Sequence, residues 1–278
     1  VKPAPFDYAR PASLEEAVRL LAREDVVAKA LAGGQSLGPM LNLRLAQPEL
    51  LVDITRIPEL QRVEEADSTV VVGACVTHSA IEDGCVGGAT GAVLAEVAHG
   101  VAYRAVRNRG TLGGSLVHAD PAADWVACLA ALGGEALVWG PAGRRAVPVE
   151  EFVTGAFEVD LAPSEILEGV RVPTLSPDAR WGYYKFCRKT GEFAEAIGAL
   201  LHDPARGILR AVVGATHGAP LVLADASELF GPDAVRAGRG NLERAAVARV
   251  VAGAGLGDDA YLQQIHRVAL ERAVAQLP

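Results

Sequence analysis

Two paired glycines, each pair followed by a small hydroxyl residue, constrain this chain more than anything else in it. The first pair lies in AGGQSL, residues 32–37, and the second in TLGGS, residues 111–115. Glycine has no Cβ, so backbone there can approach another group closely and adopt positive φ. The N–H groups of such a segment can converge on an anion, and a following helix adds the positive end of its dipole. One such segment alone is more often a plain turn. Two of them, built on Gly33, Gly34 and Ser36 and on Thr111, Gly113, Gly114 and Ser115, point to opposite sides of one diphosphate-bearing ligand.

The nucleotide sites that glycine-rich segments usually signal are disfavoured. Neither stretch reads G-x-G-x-x-G with an acidic residue about 20 positions on, and no G-x-x-x-x-G-K-[ST] sequence occurs. A flavin dinucleotide held in a fold other than the Rossmann type fits better.

The 278 residues suffice for one large domain or two ordinary ones, and half of them are apolar. A net charge of −8 argues against nucleic acid as a partner, which calls for a basic face. The four cysteines, Cys75, Cys85, Cys128 and Cys187, form no C-x-x-C pair and are expected to be buried single thiols. With no H-x-x-x-H pairing among the six histidines, no metal site is expected. No run reaches the ~18 apolar residues of a membrane span. The opening VKPAPFDYARP does not read as a secretory signal, so a cytoplasmic protein is the expectation.

Along the chain, Ser13 and Glu16 form a capping box that opens a helix to about Arg23. Residues 26–33 read as a strand entering the first glycine segment, and 37–46 as a short helix. Strands follow at 50–54 and 69–77, and helical spacing at 93–101. Asp120 and Pro121 read as N-cap and first residue of a helix ending near Leu132, before Gly133 and Gly134. EALVWG (135–140) and 165–173 read as strands, PAGRR (141–145) as a turn and PTLSP (173–177) as a linker. Beyond it, YYKFCRKTGEFAEAIGALLH and GILRAVVGAT read as antiparallel strands. Helices are expected near 241–253 and 258–277, the last burying Tyr261, Ile265, Val268 and Ala269 on one face. Without strict βαβ alternation, the pattern favours an α+β fold over a doubly wound sheet.

Several side chains bear on the ligand. Asp124 can accept hydrogen bonds from sugar or ribityl hydroxyls, or only complement a helix dipole; the two readings stand level. Lys185 could set its ammonium beside a flavin ring and favour the reduced, anionic form, although alternation makes it an outward strand residue. Phe193 could cover a ring, with core packing the commoner role. His78 and His118 read as satisfied structural histidines. Arg107 and Arg109 could hold a phosphate, or could fasten the segment to a neighbouring subunit.

At AGGQSLGPMLNLRLAQPELLVDI and AVRNRGTLGGSLVHADPAAD the chain resembles the FAD-binding medium subunit of molybdenum hydroxylases, the family of aerobic carbon monoxide dehydrogenase and xanthine dehydrogenase. VGACVTH, ILEGVRVP and YYKFCRKTGEFA follow in the family's order. The resemblance implies a vanillyl-alcohol-oxidase-type FAD-binding domain over 1–172, with subdomains of about 1–56 and 57–172, then a smaller α+β domain over 178–278. It implies that FAD is held by Lys29, Ala30, Leu31, Ala32, Gly33, Gly34, Gln35, Ser36 and Leu37. Opposite them it sets Thr111, Gly113, Gly114 and Ser115. Asp124 matches the acid near the ribityl chain, Val101 an apolar flavin contact, and Leu167 and Lys185 positions near the isoalloxazine.

The implied role is that of an oxidoreductase subunit without a catalytic residue of its own. Electrons from a molybdopterin-bearing large subunit would pass through [2Fe–2S] clusters of a small subunit to FAD, then to NAD, a quinone or oxygen. The implied assembly is a dimer of heterotrimers. Two departures stand out. AYRA (102–105) replaces the family's Asp-Pro-Gln stretch, and Phe193 stands where a hydroxylated or larger aromatic residue is common. The alternatives are a self-contained flavin oxidoreductase acting on a small molecule and a docking scaffold that has lost its cofactor.

Overall fold

The computed structural model describes residues 2–230 and 242–277. Among the described residues, three larger sheets, one two-stranded sheet and the helices between them make an α+β structure, as expected.

The N-terminal sheet is parallel, which the sequence pattern did not signal. Strands β1 (Asp7–Ala9), β2 (Ala28–Leu31) and β3 (Leu50–Asp53) are ordered β1-β3-β2. Helix α1 (Leu14–Leu21) crosses from β1 to β2, and α2 (Leu37–Asn42) from β2 to β3. The Ser13 hydroxyl accepts from Glu16 N at 3.2 Å, while the Glu16 carboxylate accepts from Ala12 N at 2.9 Å. Leu14, Ala17, Val18 and Leu21 then form the buried stripe of α1. All four residues of β3 are buried, as befits a central parallel strand. Asp53 at its end is held by the Tyr8 hydroxyl, Arg10 and the Thr55 backbone, which fixes β1 beside it.

The second sheet is antiparallel and five-stranded, in the order β4 (Val63–Glu65), β5 (Thr69–Gly73), β10 (Ile166–Pro173), β6 (Glu135–Gly140) and β7 (Gly143–Pro148). Gly143, Arg144 and Arg145 belong to β7, so the expected turn over 141–145 is only its first two residues. The chain leaves β5 for α3 (His78–Glu82), α4 (Gly88–His99), α5 (Arg104–Arg107), α6 (Leu112–His118) and α7 (Asp124–Ala131) before returning as β6. A short α8 (Val149–Phe152) and the hairpin of β8 (Val153–Gly155) and β9 (Glu158–Val159) precede β10.

The third sheet is antiparallel, as expected, in the order β11 (Arg180–Phe186), β12 (Ala196–Asp203), β13 (Ile208–Gly214) and β14 (Leu221–Leu223). Every residue of β12 is buried. Ile197, Ala199 and Leu201 join the main core with α7, while Leu200 joins a second core with α9 (Arg244–Ala252) and α10 (Ala260–Ala275). The expected start of the penultimate helix at Asn241 lies outside the described residues. In α10 the buried face is His266, Ala269, Leu270, Ala273 and Val274, whereas Tyr261 is 56% exposed. The expected face was thus displaced by one position. PTLSP is also no loose linker: Leu175 is in the core, and the Ser176 backbone and hydroxyl bond to buried Asp203.

Helix α10 lies so close on its sheet that two strand positions admit only glycine. A Cβ on Gly182 would sit 1.9 Å from the Ala273 carbonyl oxygen, and one on Gly198 2.6 Å from the Ala269 backbone. Gly182→Ala is expected to lower stability by about 1–3 kcal/mol through overpacking. Gly218→Ala, where nothing lies within 4 Å, should stay within ~0.5 kcal/mol of the parent. Urea unfolding midpoints of the two variants check this.

Candidate functional site

Between β2 and α2 the chain turns through residues 32–36, with Gly34 at φ +71°. Gly38 N donates to the Gly34 carbonyl at 2.9 Å, closing the turn. The backbone N–H groups of residues 32–37 find no acceptor among the described residues. They form a row of donors at the surface, with Gln35 and Ser36 exposed and the Ser36 hydroxyl making no capping bond. Successive N–H groups in a turn of this kind are a concave anion site. Lys29 is exposed, while Ala30 and Leu31 are half-buried on the strand that leads into it.

The two glycines serve different ends. Gly34 is needed for its positive φ. Gly33 is needed for a backbone contact: a Cβ there would lie 2.0 Å from the Arg109 carbonyl oxygen and 2.8 Å from Gly110 Cα. The two glycine segments are therefore neighbours in space, as the sequence reading expected.

The second segment is not a loop. Leu112–His118 is helix α6, and Thr111 is its N-cap, with the hydroxyl accepting from Gly114 N at 3.0 Å. Leu112 N and Gly113 N donate to the carbonyls of Val76 and Ala74, each at 3.0 Å. Ser115 N donates to the Thr111 carbonyl at 3.0 Å. These N–H groups are committed, which corrects the expectation that both segments would aim backbone donors at the ligand. Gly113 instead allows close packing, since a Cβ would meet that of Ala74 at 2.4 Å. Gly114 is exposed beside Ala32, and Ser115 is half-buried.

Under this contact lies His78, which is 5% exposed. Its backbone N–H donates to the Gly110 carbonyl at 2.9 Å. Its ring Nδ1 accepts from the indole N–H of Trp125 at 3.0 Å. Burial, and then the nearby charge of Arg107, lower its pKa to about 4, so the ring is neutral at ordinary pH. His118 instead tilts against Phe157, ring centres 5.2 Å apart.

At the start of α7 the structure brings two expected residues together. Asp124 and Lys185 form a buried ion pair of 2.8 Å, with side chains 7% and 12% exposed. Lys185 is therefore not an outward strand residue. Its ammonium also donates to the Gly100 carbonyl at 3.3 Å, next to Val101. The other carboxylate oxygen of Asp124 accepts from the Tyr183 hydroxyl at 2.7 Å. Burial and the charge of Asp124 raise the Tyr183 pKa well above its ordinary value, so it remains a donor. Tyr183 escaped the sequence reading; the signal was its place two residues before Lys185, on the same strand face. Asp120 does not cap α7, whose N-cap is Ala123; it accepts instead from Ala122 N in a local turn.

Arg107 neither faces a phosphate nor reaches outward. It is 7% exposed, pairs through two nitrogens with Glu82 at 2.7 and 2.9 Å, and donates to the Val101 and Ala102 carbonyls. It thus holds the bend at Ala102, where φ is +43°. Arg109 is exposed, and its carbonyl supports Gly33. Leu167 lies in the main core beside the bulge of β10. Phe193, expected in a core, is 71% exposed, and Tyr103 nearby is 62% exposed. Gly191, two residues before Phe193, approaches Tyr103 closely. Cys75 and Cys128 are buried as expected, but Cys85 is exposed and Cys187 half-buried. Among the described residues, no three His, Cys, Asp or Glu side chains gather to hold a metal ion. Nor is any described helix long and apolar enough to cross a membrane.

Residues 4–175 match the family described as the FAD binding domain in molybdopterin dehydrogenase. The chain belongs to that family. It is 43% identical over 194 residues to the carbon monoxide dehydrogenase medium chain of Hydrogenophaga pseudoflava, covering 70% of this chain and 68% of that one. It is 38% identical over 202 residues to the caffeine dehydrogenase subunit beta of Pseudomonas sp. (strain CBB1), covering 72% and 68%. The solved carbon monoxide dehydrogenase of Hydrogenophaga pseudoflava aligns with a TM-score of 0.85 at 34% identity over 100% of this chain and 98% of that one. As a medium subunit of the molybdenum hydroxylases, the protein is an FAD-binding oxidoreductase subunit, and the family's molybdenum and iron–sulfur centres are carried by other subunits. The residues present fit FAD: the N–H row of residues 32–37 suits its diphosphate, and the Gly33 contact keeps that row open.

Three groups converge on Glu82: Arg107 first, which also holds the Val101–Ala102 bend, then His99 and Arg104. Together they lower the Glu82 pKa from 4.5 to about 2. A carboxylate depressed in the folded state stabilises the fold above its ordinary value, and that contribution is lost as pH falls towards the depressed one. Glu82→Gln should therefore lower stability at pH 7 and flatten the loss between about pH 4.5 and 2, measured as urea midpoints across that range. A parent and variant with parallel acid limbs would refute it.

Proposed function

We propose that this chain is the electron-transfer subunit of a molybdenum hydroxylase. It takes electrons from iron–sulfur clusters of a small subunit, fed by a molybdopterin-bearing large subunit, and passes them through FAD to NAD, a quinone or oxygen. The observation that carries the reading is the juxtaposition of the open N–H row of residues 32–37 with Thr111, Gly114 and Ser115. FAD, when bound, accepts and releases electrons one or two at a time. In this reading residues 1–172 hold the cofactor, with subdomains of about 1–56 and 57–172, and residues 178–278 form the C-terminal domain. Two copies of each of three subunits would assemble in the cytoplasm.

The chain's own residues divide the work. The row from Ala32 to Leu37 binds the diphosphate, with Lys29, Ala30 and Leu31 on the strand that leads in. Val101, Leu167, Asp124 and Lys185 line the flavin end. Relatives named as carbon monoxide, caffeine and glyceraldehyde dehydrogenase subunits support the assembly. Exposed Phe193 and Tyr103 support an open edge for the acceptor.

The purified full chain, or its complex, should show flavin absorption bands and release FAD on acid treatment, identified by mass. Substrate of the assembled enzyme should reduce that flavin only with all subunits present. Turnover by the chain alone would favour a self-contained flavin oxidoreductase.

The Asp124–Lys185 pair gives a finer test. Reduction adds negative charge to the flavin, so a nearby cation favours the reduced form and a nearby anion opposes it. Lys185→Met should lower the flavin midpoint potential and Asp124→Asn should raise it. Each shift should be on the order of 30 mV, which for a two-electron couple is about 1.4 kcal/mol. Spectroelectrochemical titration measures both. Shifts of one sign, or none, would move the pair away from the ring.

A further inference from the structure

His78 has a feature that packing alone does not use. An indole N–H can only donate, so the bond from Trp125 makes Nδ1 of His78 the acceptor. A neutral imidazole then carries its proton on Nε2. That Nε2–H has no acceptor among the described residues, although the residue is 5% exposed. Nε2 is not among the described buried polar atoms left without a partner, so this edge of an otherwise buried ring reaches solvent and its N–H is available to an acceptor from outside the chain.

Its position is as specific as its tautomer. A Cβ on Gly110 would lie 2.8 Å from both Cδ2 and Nε2 of His78, so the Nε2 edge of the ring packs on Gly110. Gly110 is in turn the residue against which Gly33 packs. The unmatched N–H therefore lies at the meeting of the two glycine segments. Thr77, just before it, bridges to Thr111, the N-cap of α6. Trp125 follows Asp124 directly, so the indole that fixes the tautomer is anchored to the flavin end of the site.

We propose that His78 is a cofactor-binding residue whose Nε2–H donates a hydrogen bond to a diphosphate oxygen of FAD, where the dinucleotide passes between residues 32–37 and 110–114. This rests on the diphosphate lying in that cradle. A neutral donor at this position adds a hydrogen bond without adding a charge, and the Trp125 bond holds the ring in the orientation that presents it. His78 and Trp125 thus act together, Trp125 as the positioning residue.

Two substitutions separate binding from packing. The amide oxygen of asparagine stands where Nδ1 does, so His78→Asn keeps an acceptor for Trp125 and removes the Nε2 donor. The amide of glutamine reaches the place of Nε2, so His78→Gln retains a donor and releases Trp125. Full-length His78→Asn should bind both FAD and ADP about tenfold more weakly, the scale of one hydrogen bond to a charged group. His78→Gln should bind both more nearly as the parent does. Flavin fluorescence quenching reads the first ligand and calorimetry the second.

In the parent, nitrogen-15 spectra of labelled histidine should contain an Nε2–H signal, absent from either variant, that moves when FAD or ADP is added. Nδ1 should keep its unprotonated shift throughout. This readout requires only one folded variant for assignment. Parent-like affinity in His78→Asn, or an Nε2–H signal indifferent to both ligands, would overturn the proposal. Loss of FAD affinity with ADP affinity unchanged would also overturn it, since the partner would then lie on the ribityl or ring portion. A parent chain that takes up neither ligand would instead sink the cradle reading itself, and this inference with it.

Discussion

The approach of Gly33 to the Arg109–Gly110 backbone is the contact on which the site depends. A single methyl group at position 33 would lie 2.0 Å from the Arg109 carbonyl oxygen. No rotamer change relieves that, because both partners are main chain. The contact joins the β2–α2 turn of the parallel N-terminal sheet to the segment that leads into α6, over a hydrophobic core the two units share. It also positions the β2–α2 turn so that its N–H groups point away from the protein's own carbonyls. A turn free to settle elsewhere would satisfy those donors internally. The open row is thus a product of tertiary packing, not of glycine flexibility alone.

At the other end, α7 ties the third sheet to the rest. All eight of its residues are buried, including Asp124 at its start. Burying a lone carboxylate there would be prohibitive; donors from Lys185 and Tyr183 make it tolerable, while the Gly100 carbonyl accepts a further bond from the Lys185 ammonium. The arrangement is close to electroneutral, as suits the proposed place beside a cofactor whose charge changes. Breaking the pair by removing one partner leaves the other buried and uncompensated, and such losses typically cost about 3–5 kcal/mol. The pair therefore holds the third sheet against α7 in the same stroke that sets the charge near Val101.

Much of this was legible in the sequence, and the failures share a cause. EALVWG alternates buried and half-buried residues as a half-covered strand should, and α1 follows its capping box. The two glycine segments were correctly paired. The TLGGS stretch was misread because glycine pairs signal turns, whereas here Gly113 must pack on Ala74 and Thr111 supplies the cap. Lys185 was misread because β11 is half-buried on both faces, so alternation cannot say which side α7 covers. The roles of Arg107 and Tyr183 depend on Glu82 and Asp124, partners remote in the chain that no local pattern reveals. Strand β1, three residues between prolines, carries too little pattern to be read without the Asp53 carboxylate that holds its Tyr8.

The proposed electron-transfer role asks three things of this chain. Electron transfer demands a fixed cofactor, a controlled charge environment and an accessible edge. In that role, backbone donors at residues 32–37 would provide the first at little cost in side-chain entropy, since main chain in a packed turn has few conformations left to lose. The Asp124–Lys185 pair would govern the second. The third falls to Phe193 and Tyr103, whose exposure of 71% and 62% leaves them unsupported by any core. Residues freed from packing can change without harm to the fold, whereas Gly33, Asp124 and Lys185 cannot. The division separates a grip built from main chain and a buried ion pair from an edge whose side chains the fold does not need.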